Sequence, residues 1–278
     1  ALKNTNANTA VAVPLDFDND GDLDLFIGGR NAPYRYGANP NSALLKNDGK
    51  GHFSDVTQVK APKLASIGMV TDAVWADITG DAKPELMIVG DWMAPHIFSY
   101  NNNVFQEIAT NLTDLFGWWR SIAVADLDGD GRKDIIIGNI GENGYLHPTK
   151  DKPVKLWLND YDMNGNLEKI VTQTIDRKDV TVFLKHDVEE QIPSLKKQNL
   201  KHEVFANKSI QELFPADIIK SSVVRTFNFC SSVIAWNNGN GQFTISNLPP
   251  SVQFSSANAI YCTDINNDGK QDILIGGN

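Results

Sequence analysis

Cysteine is nearly absent: Cys230 and Cys262 are the only two in 278 residues, too few for a disulfide framework and outside any zinc pattern. Both fall on expected strands and read as small buried hydrophobes. A bond between them is the alternative, since sequence does not supply the Cα separation. No apolar run of 18 residues occurs, so no membrane-spanning helix is expected, and the opening ALKNTNANTAVAVPLD has no signal-peptide pattern and reads as the interior of a longer precursor. Positive charge is the minority, 25 Lys and Arg against 34 Asp and Glu for a net charge of −9, and without a basic stripe there is no case for nucleic-acid binding. Catalytic signatures are missing too. There is no G-x-S-x-G, no P-loop and no cysteine–histidine nucleophile arrangement, and His52, His96, His147, His186 and His202 are scattered without ligand spacing.

What the chain does have is acid in a repeated order. The pattern D-x-[DNT]-x-[DN]-[GA]-x-x-[DE] occurs at 16–24 (DFDNDGDLD), 77–85 (DITGDAKPE), 126–134 (DLDGDGRKD), 160–168 (DYDMNGNLE) and 264–272 (DINNDGKQD). Carboxylate and amide oxygens at alternate positions, with glycine at the sixth for a sharp turn, suit a hard cation such as Ca²⁺ that takes six to eight oxygen ligands. A helix-loop-helix calcium sensor would close its loop with a carboxylate at position 12. Here position 12 is Ile27, Ile88, Ile137, Val171 and Ile275, and the closing acid stands at position 9: Asp24, Glu85, Asp134, Glu168 and Asp272. Apolar residues two and four places before each loop, and runs such as LFIGG and IIIGN after it, give strand periodicity. Each unit is therefore expected to be strand, clamped turn, strand. More than half of the acids lie in these loops, and five bound Ca²⁺ would bring the chain close to neutrality.

Loop spacing is irregular but centres on the roughly 40 to 60 residues of a four-stranded blade. The first unit supplies a full blade, with a hairpin in NSALLKNDGKGHFSDVT, and the second repeats it through HIFSYNNNVFQEIA. The third shows no clear outer hairpin. The fourth is expected to be split by a largely helical insert over 185–220, after which SSVIAWNNGNGQFTISNLP resumes its hairpin. Within the insert, Ser209 to Glu212 form a capping box ended by Pro215, and Asp187 caps an earlier turn. Two readings of the insert stay open, a contact surface dispensable for the sheets or a decoration that covers core.

The five loops, together with GMVTDAVWAD, VGDWMAPHIF, FGWWRSIAVAD, IGNIGENGY and IPSLKKQ, resemble the FG-GAP or VCBS repeat family, the calcium-loop β-propellers that include the integrin alpha head. Secreted bacterial repeat proteins and animal cartilage acidic proteins are the nearer likeness. The resemblance implies an all-β fold, a β-propeller or partial propeller of four-stranded antiparallel blades spanning 1–278, with Ca²⁺-binding inter-strand loops and a small helical insert. It implies as metal ligands Asp16, Asp18, Asp20 and Asp24 with the Asp22 carbonyl; Asp126, Asp128, Asp130 and Asp134 with the Arg132 carbonyl; Asp160, Asp162, Asn164 and Glu168 with Asn166; and Asp264, Asn266, Asp268 and Asp272 with the Lys270 carbonyl. The second loop departs most, through Thr79, Ala82 and Pro84 beside Asp77, Asp81 and Glu85, and is expected to be a metal-free turn. The function implied is a secreted or cell-surface, non-enzymatic module, in a bacterium at the outer membrane or outside it. Its partner would be an envelope protein or glycan, within a larger surface complex. A polysaccharide lyase or hydrolase, or a lectin using Tyr34, Tyr36, Trp92, Trp118 and Trp119, is the alternative.

Overall fold

A computed structural model describes residues 7–198 and 201–278; residues 1–6 of the opening segment and 199–200 of the 185–220 segment lie outside the described residues. Antiparallel sheets are its main regular structure. β1 (Asn8–Leu15), β2 (Asp24–Asn31), β3 (Ala43–Asn47) and β4 (Phe53–Asp55) form the first in sequence order, followed by a one-turn helix α1 (Thr57–Lys60). β5 (Met69–Ala76), β6 (Glu85–Met93), β7 (His96–Asn101) and β8 (Val104–Glu107) form the second, with the short β9 (Gly117–Trp118) added beside β6. The third begins with β10 (Ser121–Ala125) and β11 (Asp134–Gly138).

The chain then leaves the third sheet to build another. β12 (Val154–Asn159), β13 (Glu168–Ile175), β14 (Lys178–Thr181) and β15 (Val223–Phe227) assemble in the order β14-β13-β12-β15 around the fourth loop. Only afterwards do β16 (Val233–Asn237) and β17 (Phe243–Asn247) return to complete the third sheet as β10-β11-β16-β17. This corrects the expectation that the 233–247 hairpin belongs to the fourth unit. Its register, Ile135 opposite Ala235 and Ile137 opposite Val233, seats it on β11. The third unit does have an outer hairpin, displaced along the chain by a whole inserted sheet whose two ends meet where Gly141 N donates to Cys230 O at 3.0 Å. A fifth pair, β18 (Ala257–Thr263) and β19 (Asp272–Gly277), ends the chain.

In every unit the residue before the first Asp pairs with the position-9 acid: Leu15 with Asp24, Ala76 with Glu85, Ala125 with Asp134, Asn159 with Glu168 and Thr263 with Asp272. The loops are thus turns of one construction. Strand alternation then sorts the core, because successive side chains face opposite sides of a sheet. On β6, Leu86 and Ile88 pack with Phe26, Leu44 and Val70 toward the first sheet, while Met87 and Val89 pack with Ile135, Ile137 and Val233 toward the third. Buried on both faces, the centre of β6 reads as a continuous apolar run, LMIVG.

The inserted sheet packs the same way at the end of the second sheet remote from its loop. Val154, Leu156 and Leu158 of β12 and Phe227 of β15 meet Met69 and Trp92 of the second sheet. The other face carries Trp157 and Ile170, covered by helices α2 (Lys185–Gln191), α3 (Leu195–Gln198), α4 (His202–Ala206), α5 (Ile210–Leu213) and α6 (Ala216–Ser221). Their Val188, Ile192, Leu195, Phe205, Ile210, Leu213 and Phe214 are buried there. Of the two readings of this segment, the covering layer is the one that describes its packing. Asp187 caps α2 from its third residue, accepting from Leu184 N at 3.2 Å, and Glu212 accepts from Ser209 N at 2.7 Å at the start of α5.

Candidate metal centres

The first Asp of each loop is spent on shaping the turn. Its two oxygens accept backbone N–H groups from inside the loop: Asp16 from Asp20 and Gly21, Asp77 from Gly80 and Ala82, Asp126 from Gly129 and Gly131, Asp160 from Asn164 and Gly165, and Asp264 from Asp268 and Gly269. Position 5 accepts from the N–H of position 7 in all five, so that Asp22, Lys83, Arg132, Asn166 and Lys270 have their amides held inward. The sixth position requires positive φ, +95° at Gly21 and +87° at Gly131; in the second loop Ala82 adopts +65° with a Cβ that disfavours it.

The position-9 acid closes the loop by accepting the N–H of position 2: Phe17 to Asp24, Ile78 to Glu85, Leu127 to Asp134, Tyr161 to Glu168 and Ile265 to Asp272. In the first four loops it is buried; in the fifth, whose sheet has two strands, Asp272 is only half-buried. Burial pushes the carboxyls of Asp24, Glu85, Asp134 and Glu168 above the ordinary range, with the backbone donors pulling partly back. A divalent cation beside them would reverse that shift.

Three loops bring ligand atoms together. The carboxylate oxygens of Asp16, Asp18 and Asp24, of Asp126, Asp128 and Asp134, and of Asp160, Asp162 and Glu168 each lie within 4.8 Å of one another. Three carboxylates so close repel unless a cation or protons intervene. The donor set, all hard oxygen, fits Ca²⁺ rather than a thiophilic or imidazole-seeking metal. Two of the oxygens, Asp18 Oδ1 and Asp162 Oδ1, are buried without a hydrogen-bond partner, and both stand at position 3. An ion in the loop would satisfy them. These acidic clusters could hold a metal. In the fifth loop Asp264 and Asp272 are joined by Asn266 and Asp268, which bond to each other at 3.0 Å. In the second, Glu85 is satisfied by its own loop, accepting from Ile78 N, Thr79 N and Thr79 Oγ1.

Two residues act at these loops that sequence reasoning did not nominate. Asn47 N donates to Asp24 Oδ1 at 2.8 Å and Asn237 N to Asp134 Oδ1 at 2.9 Å, tying the outer hairpin to the loop. Asn237 also donates its amide to Ile78 O of the second loop and Lys133 O of the third. The signal was the shared Asn-Asx-Gly of the two hairpins, Asn47-Asp48-Gly49 and Asn237-Asn238-Gly239.

The five aromatic residues nominated from the sequence are mostly covered. Trp119 is fully buried, with Nε1 donating to Met93 O, Trp92 is buried, and Trp118 stacks on Phe227 at 4.5 Å and 8°. Tyr36 accepts from Trp92 Nε1, leaving Tyr34 as the fully exposed ring of the five. Cys230 and Cys262 are free thiols, both half-buried; Cys262 lies on β18 as expected, but Cys230 lies in the connection between β15 and β16 and not on a strand. Among the described residues no helix is long and apolar enough to cross a membrane.

The repeat pattern also matches a known family. A family model described as the FG-GAP-like repeat matches residues 16–88, 77–137 and 223–275. The stretch it leaves out, 138–222, is nearly the inserted sheet with its helices. The crystal structure of the V. cholerae biofilm matrix protein Bap1 is similar at 8% identity and a TM-score of 0.28, over 96% of this chain and 57% of that one. This chain thus spans little more than half of that structure's length. No curated protein matches it.

Proposed function

The chain belongs to the FG-GAP-like repeat family, and from that membership we propose a non-enzymatic, calcium-stabilised β-propeller or propeller arc that works outside the cell or at its surface as an adhesion or interaction module. The observation that carries the reading is the fivefold identity of loop construction, with clustered carboxylates in three loops and unsatisfied buried oxygens at the same position in two of them. Sheets stacked face to face and clamped by cations at their turns make a rigid scaffold, which suits contact with an envelope protein or a glycan. The ligands are those of the first, third, fourth and fifth loops, with the carbonyls of Asp22, Arg132, Asn166 and Lys270 completing each set.

Calcium titrated into metal-free protein tests this. Several sites with dissociation constants of about 10⁻⁴ to 10⁻³ M are expected, as for extracellular structural calcium; absence of any binding heat at millimolar calcium would defeat it. A glycan array beside capture from envelope extracts distinguishes the two partner classes. The lyase, hydrolase and lectin readings are less favoured because the acids cluster in turns and the tryptophan faces are covered. Turnover of a polysaccharide would restore the first two.

A further inference from the structure

One lysine enters the first loop from outside it. Lys46 on β3 ion-pairs with Asp18 Oδ2 and, at 2.7 Å, with Asp20 Oδ2, so a fixed positive charge bridges positions 3 and 5. Internal repetition supplies the control. Leu45 lies opposite Leu25, Phe98 opposite Leu86 and Ala235 opposite Ile135, each partner being position 10 of its loop. The next residue outward on the hairpin strand is therefore Lys46 in the first unit, Ser99 in the second and Trp236 in the third. Among the described residues the third loop has only its own Arg132 paired with Asp130, and no ion pair reaches Asp160, Asp162 or Glu168 of the fourth.

We propose that Lys46 is a built-in counter-cation that competes with calcium at the first loop, so that this loop fills at higher calcium than the third and fourth. The proposal rests on the calcium reading above. The first loop offers four ligand carboxylates, as the third does and one more than the fourth, so on ligand charge alone it would bind at least as tightly as either. An ammonium seated on two of the ligand residues reverses that order. A divalent ion held about 4 Å from a unit positive charge loses on the order of tenfold or more in affinity even with water-like screening. The loop then responds to changes in calcium over a range in which its neighbours stay loaded.

The turn glycines provide separate reporters, since Gly21 N, Gly131 N and Gly165 N each donate to the first Asp of their own loop. Calcium alone is titrated into the metal-free 278-residue chain while the three glycine amide resonances are followed. In the wild type, Gly21 is expected to respond at calcium at least tenfold higher than Gly131 and Gly165. Lys46→Met should lower the Gly21 midpoint at least tenfold and leave the other two unmoved. Lys46→Ser, which installs the residue of the second unit, should do the same, and Lys46→Arg should keep the wild-type order. A Gly21 midpoint unchanged or raised in Lys46→Met, with Gly131 responding normally, overturns this inference alone. If no loop glycine responds to calcium in the wild type, the calcium reading falls and this inference with it.

Discussion

Asp134 holds two chain segments that are far apart in sequence, through Leu127 N at 3.0 Å and Asn237 N at 2.9 Å. Both donors would be stranded in a poorly hydrated site if the carboxylate were removed, and each costs about 1 to 3 kcal/mol when left unpaired. Asp134→Ala should therefore destabilise by about 2 to 5 kcal/mol in denaturant unfolding, even in EDTA, where loss of metal contributes nothing. A change confined to calcium-containing buffer would mean that Asp134 acts only as a ligand. Asp72, outside the loops, accepts from Ala73 N and from Ile122 N on the neighbouring sheet, and burial pushes its carboxyl up against the pull of those donors. With the folded pKa above the unfolded one, its contribution is complete below the unfolded value and is lost as pH rises through the folded value. The stability of wild type relative to Asp72→Asn should accordingly fall between acid and neutral pH, with the opposite slope excluding this account. The loop acids were legible because their spacing is local. Asn47, Asn237, Lys46 and Asp72 were not, because what they touch is decided by pairing with distant strands.

Strands before and after each loop were equally legible, since a turn of fixed length sets their register. The 233–247 hairpin was not. It resembles the first unit's hairpin, and the fourth loop is the one that precedes it in sequence, yet an inserted sheet separates it from the strand it completes. Nothing local encodes which β-edge a hairpin joins. One close approach fixes where that third sheet meets the next: a Cβ on Gly138 would overlap the carbonyl oxygen of Ala257, with Ser121 Oγ also in the way. Because the obstacle is backbone, Gly138→Ala should cost about 1 to 3 kcal/mol by overpacking, read as a lowered midpoint with an unchanged denaturant slope; a neutral effect would show that the β18–β19 pair shifts freely. For the helices the helical signals were plain, but their burial against Trp157, Tyr161 and Ile170 depends on where the sheet lies. Replacing residues 185–220 by a short Gly/Ser linker should expose that face. The expected result is dye binding and early, separate melting of the inserted sheet. Retained single-transition unfolding would return the segment to a contact surface dispensable for the sheets.

At the scale of the whole molecule, four of the five loops line clefts between sheets. The first and second border one cleft with Tyr100, and the third and fifth border another of 510 Å³. Charge gathers there: in metal-free protein each acidic cluster repels itself at the turn that its sheet needs closed. A cation bound only by the folded state adds about 2.7 kcal/mol per site at a hundred times its dissociation constant, and at this chain size each kcal/mol moves Tm by about 2 to 4 °C. One loop should thus be worth roughly 5 to 10 °C, and several loops proportionately more. Metal-loaded protein transferred to EDTA is expected to melt at least that much lower, with calcium restoring the loss. Magnesium at equal concentration should restore little, because it demands a smaller octahedral shell and keeps its waters. Identical melting in calcium and EDTA, from a sample shown by elemental analysis to have carried calcium, would mean that hydrogen bonds from Gly21, Gly131, Gly165 and their counterparts hold the turns unaided, and that the carboxylates serve no structural ion.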